Sequence, residues 1–301
     1  MIRPVGFRYN DETAGNNYYQ KVIEGLDNES AQIQAVNEFD AMVVSLRYLG
    51  IDVNVISDTK EYDTPDSIFP NNWVSFHSDG TVGLYPMYAE NRRQERNPKI
   101  IEQLGEKFQV LQTVDFSSSE SKNLFLEGTG SLLLDRQHKI AYAAISSRTH
   151  PELLEKFSRT FRYQVISFFA NQTVEGVRQP IYHTNVMMCL GETFTVICLD
   201  SIDDEMEKFR VIETLKNSGK EIIEITEDQV SSFAGNMLQL KNENEERFIV
   251  MSSSAFKSLT KFQIDALEKT NKIVHSSLDT IEACGGGSAR CMMAEIFLPE
   301  K

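Results

Sequence analysis

The chain has 301 residues, 41% of them hydrophobic and 25% charged, with a net charge of −14. That length and balance describe a globular protein able to bury a real core, not a disordered one. The acid excess, a sequence pI near 4.9 and the lack of any Lys/Arg-rich run argue against a nucleic-acid partner, which needs a basic face.

The N-terminal stretch MIRPVGFRYNDETAGNN lacks the apolar core of a signal peptide. No apolar run is long enough to span a bilayer. A cytoplasmic, reducing setting without membrane attachment is therefore expected. The four cysteines, Cys189, Cys198, Cys284 and Cys291, form no C-x-x-C pair, so free thiols are expected.

Next come a helical stretch, AQIQAVNEFDAMVVSLRYLG, and a strand, IDVNVI. WVSFH and TVGLYPM then flank Ser78-Asp79-Gly80, a hairpin signal. A polar helix from Asn91 to about Phe108 and the strand QVLQTV follow. The same order returns three times. SLLLD and KIAYAA precede helix PELLEKFSRTF and strand QVISFF. VMMCL and TFTVICL precede helix IDDEMEKFRVIETLKNSG and strand KEIIEIT. NMLQLK and RFIVMSS precede helix AFKSLTKFQIDALEKT and strand KIVHSS. A fifth hairpin opens at MMAEIFLP, and the N-terminal helix and strand supply its missing half. The hairpins begin near Trp73, Ser131, Val186, Asn236 and Cys291, 50 to 58 residues apart. A fixed period of that size means stacked or radial units. An α/β ring is preferred over a linear α+β sheet, because both termini read as halves of one unit.

A short polar segment precedes each hairpin: FPNN, EGTG, YHTN, FAGN and GGGSAR. In a ring these converge near one axis and gather Asn71, Asn72, Glu127, His183, Asn185, Asn236 and Cys291. Cys291 is the nucleophile candidate. Gly285, Gly286 and Gly287 let backbone approach a ligand, and Arg290 stands ready to hold a thiolate. Cys189 and Cys198 read as core thiols and Cys284 as a weaker candidate. His77 and His138 read as solvated turn residues, His150 as a helix cap and His275 as a core residue. His183 alone holds a repeat-equivalent position and suits a general acid/base for Cys291. Glu127 suits a group that orients it. His183, Glu127 and Cys291 lack zinc-ligand pairing, so no metal is expected. The glycine run lacks G-K-[ST], so it is not a phosphate loop.

TPDSIFPNN, LEGTG, YHTN and GGGSARCM, in this order, resemble the guanidino-group-modifying enzymes. These include dimethylarginine dimethylaminohydrolase, arginine deiminase and the amidinotransferases. The resemblance runs from about Asp66 to Cys291. It implies a five-bladed α/β propeller (pentein) of pseudo-symmetric ββαβ units, forming one catalytic domain over 1–301. It also implies Cys291 as nucleophile, His183 as acid/base and Glu127 as the carboxylate beside it. Asp66 matches the aspartate that holds the substrate α-amine. Arg92, with Arg93 as rival, and Arg148 match the arginines on the α-carboxylate, a role suited to their planar fork. Surface solubility is the competing account of these arginines.

Two departures point to the substrate. Asn72 stands where relatives acting on arginine-like substrates place aspartate against the guanidinium, and Asn185 where deiminases place a second. A neutral amide there suits a neutral group, such as the ureido group of citrulline. FPNNW, YHTNVMM and GGGSARCM are most similar to the citrulline hydrolase (ureidase) branch. The expected reaction is hydrolysis of L-citrulline to L-ornithine, carbon dioxide and ammonia through an S-carbamoyl cysteine, without cofactor. The competing readings are a deiminase or dimethylaminohydrolase, an amidinotransferase, and a non-catalytic amino-acid binder. A small amino-acid substrate is the expected partner. A homo-oligomer is compatible with the sequence, but the hairpin faces carry no interface pattern.

Overall fold

The computed structural model describes residues 1–301. Its architecture follows from the repeated alternation of paired apolar runs and capped amphipathic helices. First come β1 (Ile2–Arg3), the one-turn helix α1 (Asp11–Ala14), the long helix α2 (Asn28–Tyr48) and β2 (Ile56–Ser57), which pairs in parallel with β1. Asp27 caps α2 by accepting from the Ser30 amide. The helix buries Ala31, Ala35, Phe39, Met42, Val43 and Leu46, spaced three or four residues apart along most of one face.

Four ββαβ units follow. In the first, β3 (Val74–Phe76) is antiparallel to β4 (Thr81–Leu84), and α3 (Pro98–Lys107) crosses to β5 (Gln112–Asp115), parallel to β4. The second has the one-turn helix α4 (Gly128–Ser131), β6 (Leu133–Asp135), β7 (Ile140–Ile145), α5 (Pro151–Phe161) and β8 (Gln164–Phe169). A small hairpin, β9 (Asn171–Val174) and β10 (Val177–Pro180), leads on. The third unit has α6 (Thr184–Met187), β11 (Met188–Leu190), β12 (Phe194–Ile197), α7 (Glu205–Asn217) and β13 (Glu221–Glu224). After α8 (Glu227–Ser231), the fourth has β14 (Leu238–Lys241), β15 (Arg247–Ser252), α9 (Ser253–Ser258), α10 (Lys261–Glu268) and β16 (Lys272–Ser276). In every unit the second strand is central, antiparallel to the first and parallel to the third.

Four expectations change. The strand read at IDVNVI shrinks to Ile56–Ser57, with 51–55 outside any strand. The polar helix from Asn91 breaks into a 3₁₀ turn, Asn91–Glu95, and α3. Pro98 cannot continue a helix, and Asn97 caps the new start by accepting from the Lys99 amide. The fourth-unit helix likewise divides, because Thr260 and Gln263 form a capping box. The fifth hairpin does not form: Cys291 and Met292 lie in a turn, and 293–298 contains no strand. The backbone amides there are taken elsewhere. The Arg290 amide donates to Asn236, and those of Cys291, Met292 and Met293 close turns onto Ser288, Ala289 and Arg290. The terminal unit is therefore strand–helix–strand, built on the β1–β2 pair.

Beneath α2, Phe39, Met42 and Leu46 share a core with Phe7, Phe69, Leu278, Cys284 and Met292. Cys291 belongs to the same cluster. The long helix thus backs the turn that carries the nucleophile candidate.

Candidate active site

Each segment ahead of a hairpin is short and tightly turned, which aims its polar side chains inward. Pro70–Asn72 is a 3₁₀ turn, while α4 and α6 are single helical turns. Gly128 has φ +44, and a Cβ there would overlap the Asn71 carbonyl. A Cβ on Gly130 would overlap the Asn72 amide and come within 2.9 Å of His183 Nδ1. The two glycines of LEGTG therefore let three segments touch. Asn236 donates to the Asn185 carbonyl at 2.9 Å and accepts from the Arg290 amide at 3.0 Å. Phe69 lies where side chains on Gly285 and Gly287 would be.

Cys291 is buried, and its Sγ accepts from Asn185 Nδ2 at 3.4 Å and Asn236 Nδ2 at 3.2 Å. Arg290 is turned away, donating to the Met293 carbonyl and standing 3.6 Å from Glu295. It does not hydrogen-bond the sulfur as the sequence suggested.

His183 Nε2 meets Glu127 Oε2 at 2.7 Å, with both side chains buried. Glu127 also accepts from the Tyr88 amide at 2.8 Å and from Arg148 at 3.5 Å. Burial alone raises this carboxyl, but Arg148, His183 and Arg92 together hold it well below the usual carboxylate range. Burial pushes His183 down to about 4, against the pull of Glu127. A neutral imidazole beside an ionised Glu127 carries its proton on Nε2, which leaves the Nδ1 lone pair as the base.

Asp66 accepts from Asn10 at 2.7 Å and Thr13 at 3.3 Å, and lies 3.9 Å from Arg92. Its pKa is raised: burial outweighs the opposing pull of Arg92 and Asn10. Arg92 donates to Glu95 at 2.8 and 3.0 Å, to Asn72 Oδ1 at 3.0 Å and to the Phe69 carbonyl at 3.3 Å. Burial works against its charge, but Glu95 and Asp66 more than offset that and keep it protonated. Arg93 instead donates to the Met87 and Tyr88 carbonyls, which separates it from its rival. Arg148 donates to Asn16 and to the Thr13 carbonyl, and its guanidinium lies 4.8 Å over the Tyr182 ring.

Six buried polar atoms in this cluster have no partner: Asp66 Oδ1, Asn72 Nδ2, Asn185 Oδ1, both side-chain polar atoms of Asn71, and Ser67 Oγ. An unpaired buried polar atom costs about 1–3 kcal/mol. Such a concentration marks a surface shaped for a polar ligand.

Sequence reading missed the segment 10–20. Asn10, Thr13 and Asn16 bond Asp66 and Arg148, while Asn17 reaches the Gly285 carbonyl. The available signal was its density of Asn and Thr in a stretch without apolar periodicity. Glu95 was also missed, hidden in a charged run. Other histidines differ from expectation. His77 is buried, bonded to Ser75 at 2.9 Å and stacked 4.1 Å from Phe161. His275 is exposed and stacked on Phe256. His150 is the N-cap residue of α5, as expected, but its ring accepts from the Phe125 amide and makes no side-chain bond to the helix. No group of three His, Cys, Asp or Glu is arranged to hold a metal. No helix is long and apolar enough to cross a membrane.

A separate cavity of about 680 Å³ is lined by Leu133, Arg136, Leu190, Met237, Leu240 and Phe297, among others, and by none of the eight candidate site residues.

The family model described as N,N dimethylarginine dimethylhydrolase, eukaryotic, matches residues 3–298. The chain therefore belongs to that family of guanidino-group-modifying enzymes. Among solved structures it is similar to apo ArgZ, an arginine dihydrolase from the ornithine–ammonia cycle in cyanobacteria. The TM-score is 0.73 at 18% identity, covering 98% of this chain and 40% of that one. A substrate-bound mutant of the N-terminal domain of ArgZ gives a TM-score of 0.71 at 20% identity, covering 99% and 98%. A dimethylarginine dimethylaminohydrolase mutant, as an adduct with S-methyl-L-thiocitrulline, gives 0.64 at 15% identity, covering 97% and 96%. At such identities the likeness is one of fold. The chain spans about 40% of full-length ArgZ but the whole of its N-terminal domain. No curated protein matches it.

Proposed function

We propose that the protein hydrolyses L-citrulline to L-ornithine, carbon dioxide and ammonia. The observation that carries this reading is the pair of unpartnered amide atoms, Asn72 Nδ2 and Asn185 Oδ1. One is a donor and the other an acceptor. A ureido group offers a carbonyl oxygen to the first and an N–H to the second. A guanidinium offers only donors, so Asn72 Nδ2 would face a donor in a buried site.

In the proposed mechanism, His183 Nδ1 takes the Cys291 thiol proton and the sulfur attacks the ureido carbon. Asn185 and Asn236 support the sulfur until the new bond forms. Glu127 stabilises the resulting imidazolium, which passes its proton to the departing δ-nitrogen as the C–N bond breaks. Ornithine leaves and an S-carbamoyl enzyme remains. His183 then deprotonates water, which attacks the carbamoyl carbon, and the Cys291 thiol is regenerated with that proton. The released carbamate decomposes to carbon dioxide and ammonia. Asp66 takes the substrate α-amine and Arg148 the α-carboxylate, turning remote binding into alignment at the carbon. The contacts from Asn71 and Asn72 through Gly130, His183 and Asn236 to Cys291, closed by Phe69 against the glycine run, support a five-bladed ring as one catalytic domain.

A second reading is an arginine-consuming hydrolase, favoured by the likeness to arginine dihydrolase structures. Incubation with citrulline, arginine and dimethylarginine, followed by assay of ornithine, citrulline and ammonia, separates the two. Ornithine from citrulline is expected. Turnover of arginine with citrulline left untouched would sink the proposal.

A further inference from the structure

We propose that Arg92, braced by Glu95, is a positioning residue that sets the polarity of the Asn72 amide and thereby selects a ureido over a guanidino substrate. This rests on the citrulline reading above and adds the device that enforces it.

A guanidinium carries donors only, so the Asn72 atom 3.0 Å from Arg92 Nη1 must be Oδ1. The amide nitrogen is thereby turned to the other side, where it is buried and unpartnered. An asparagine free to turn would serve either substrate, offering Oδ1 to a guanidinium N–H or Nδ2 to a ureido oxygen. Arg92 removes the first option, because turning the amide would set a donor against a donor and forfeit a charge-assisted bond.

Arg92 is itself held in place. Glu95 takes Nε and Nη2 as a two-point fork, and the Phe69 carbonyl takes Nη2 as well. With Asn72, four hydrogen bonds occupy its five N–H groups. The one left over cannot form the two-point fork of an arginine–carboxylate grip. Arg92 and Glu95 are both almost wholly buried, so the pair is not a surface ion pair that solvent would loosen.

The test is the ratio of kcat/KM for citrulline to that for arginine in wild type, Arg92→Lys and the double variant Arg92→Gln/Glu95→Gln. Lysine is still a pure donor, so Arg92→Lys lowers turnover but keeps the ratio within about 3-fold. The neutral pair faces Asn72 with an amide that can both donate and accept, and leaves no buried Glu95 charge without its partner. Its ratio is expected to fall about 10- to 100-fold, the size of one lost charge-assisted bond, with arginine use rising outright. If the double variant does not fold, Arg92→Gln alone carries the same expectation. Equal losses for both substrates through KM, as a carboxylate grip would give, overturn the proposal, as does a lost ratio in Arg92→Lys. Wild-type protein that leaves citrulline untouched overturns the functional reading itself. Wild-type that hydrolyses citrulline, with a ratio indifferent to the chemistry at Arg92, overturns this inference alone.

Discussion

Two side chains at the reacting carbon, the attacking thiol and the amide facing the ureido oxygen, each make a sharp prediction. Cys291→Ser replaces a thiol by a much weaker nucleophile. Turnover of citrulline is expected to fall by more than about 1000-fold, while titration calorimetry still finds substrate binding. Near-normal turnover would remove the thiol mechanism. Asn72→Asp replaces the donor facing the ureido oxygen with an acceptor. Citrulline kcat/KM should drop on the order of 100-fold, equivalent to about 2.7 kcal/mol, and arginine turnover should rise. Unchanged kinetics would mean that Asn72 does not face the reacting group. Around both residues the polarity of the Asn72 and Asn236 amides is set by neighbours, the Arg92 guanidinium and the Arg290 backbone N–H, that can only donate. Asn236 accepts from the Arg290 backbone and so must donate to sulfur.

Among the elements, the short turns ahead of the hairpins matter most. α4 brings Glu127 and His183 together only because Gly130 leaves room for Asn72 and the imidazole. Gly130→Ala is expected to push on both, lowering kcat at least about 10-fold while circular dichroism stays native. A normal kcat in that variant would show that the close packing is not needed for turnover. Farther out, the repeated helices are ordinary capped elements. Asp204 accepts from the Met206 and Glu207 amides at the start of α7. Asp204→Ala should cost about 1 kcal/mol in urea denaturation without changing KM, because α7 contributes no side chain to the site.

Across the whole molecule, the buried ionisable groups couple stability to pH. His183 titrates near 6.5 when unfolded and near 4 when folded. The unfolded chain therefore binds the proton first as pH falls. The stability conferred by a neutral His183 is complete above pH 6.5 and is lost between 6.5 and 4. By pH 5 the loss reaches about 2 kcal/mol. Glu127, whose folded pKa is lowered, adds to the loss only below its unfolded range. Glu95, which burial raises to about 7, acts in the opposite sense over the same window, so the loss is read as a difference: the stability of wild type relative to His183→Asn, measured in urea, should shrink by about 2 kcal/mol from pH 7.5 to 5. An equal slope in the variant would assign the acid sensitivity to other groups.

Much of this design is legible in the chain alone, because it is local. The alternation of apolar runs, turns and helices forms within about 55 residues at a time, so four ββαβ units can be read directly. Cys291, His183, Glu127, Asn72 and Asn185 stand out because each lies in, or at the end of, the short polar segment that opens its repeat. The fifth hairpin misled, because its amides are claimed by Asn236 and by turns that no local pattern reveals. The same holds for Asn10, Thr13 and Asn16, which reach their partners across 50 to 135 residues of chain. Residue types and their repeat positions were thus determined by sequence. Which face of each amide meets the substrate, and whether Arg92 is free or already held by Glu95, was decided by tertiary structure. Hydrogen-bond polarity belongs to a set of neighbours in space, and those neighbours are assembled only when the units close on one another.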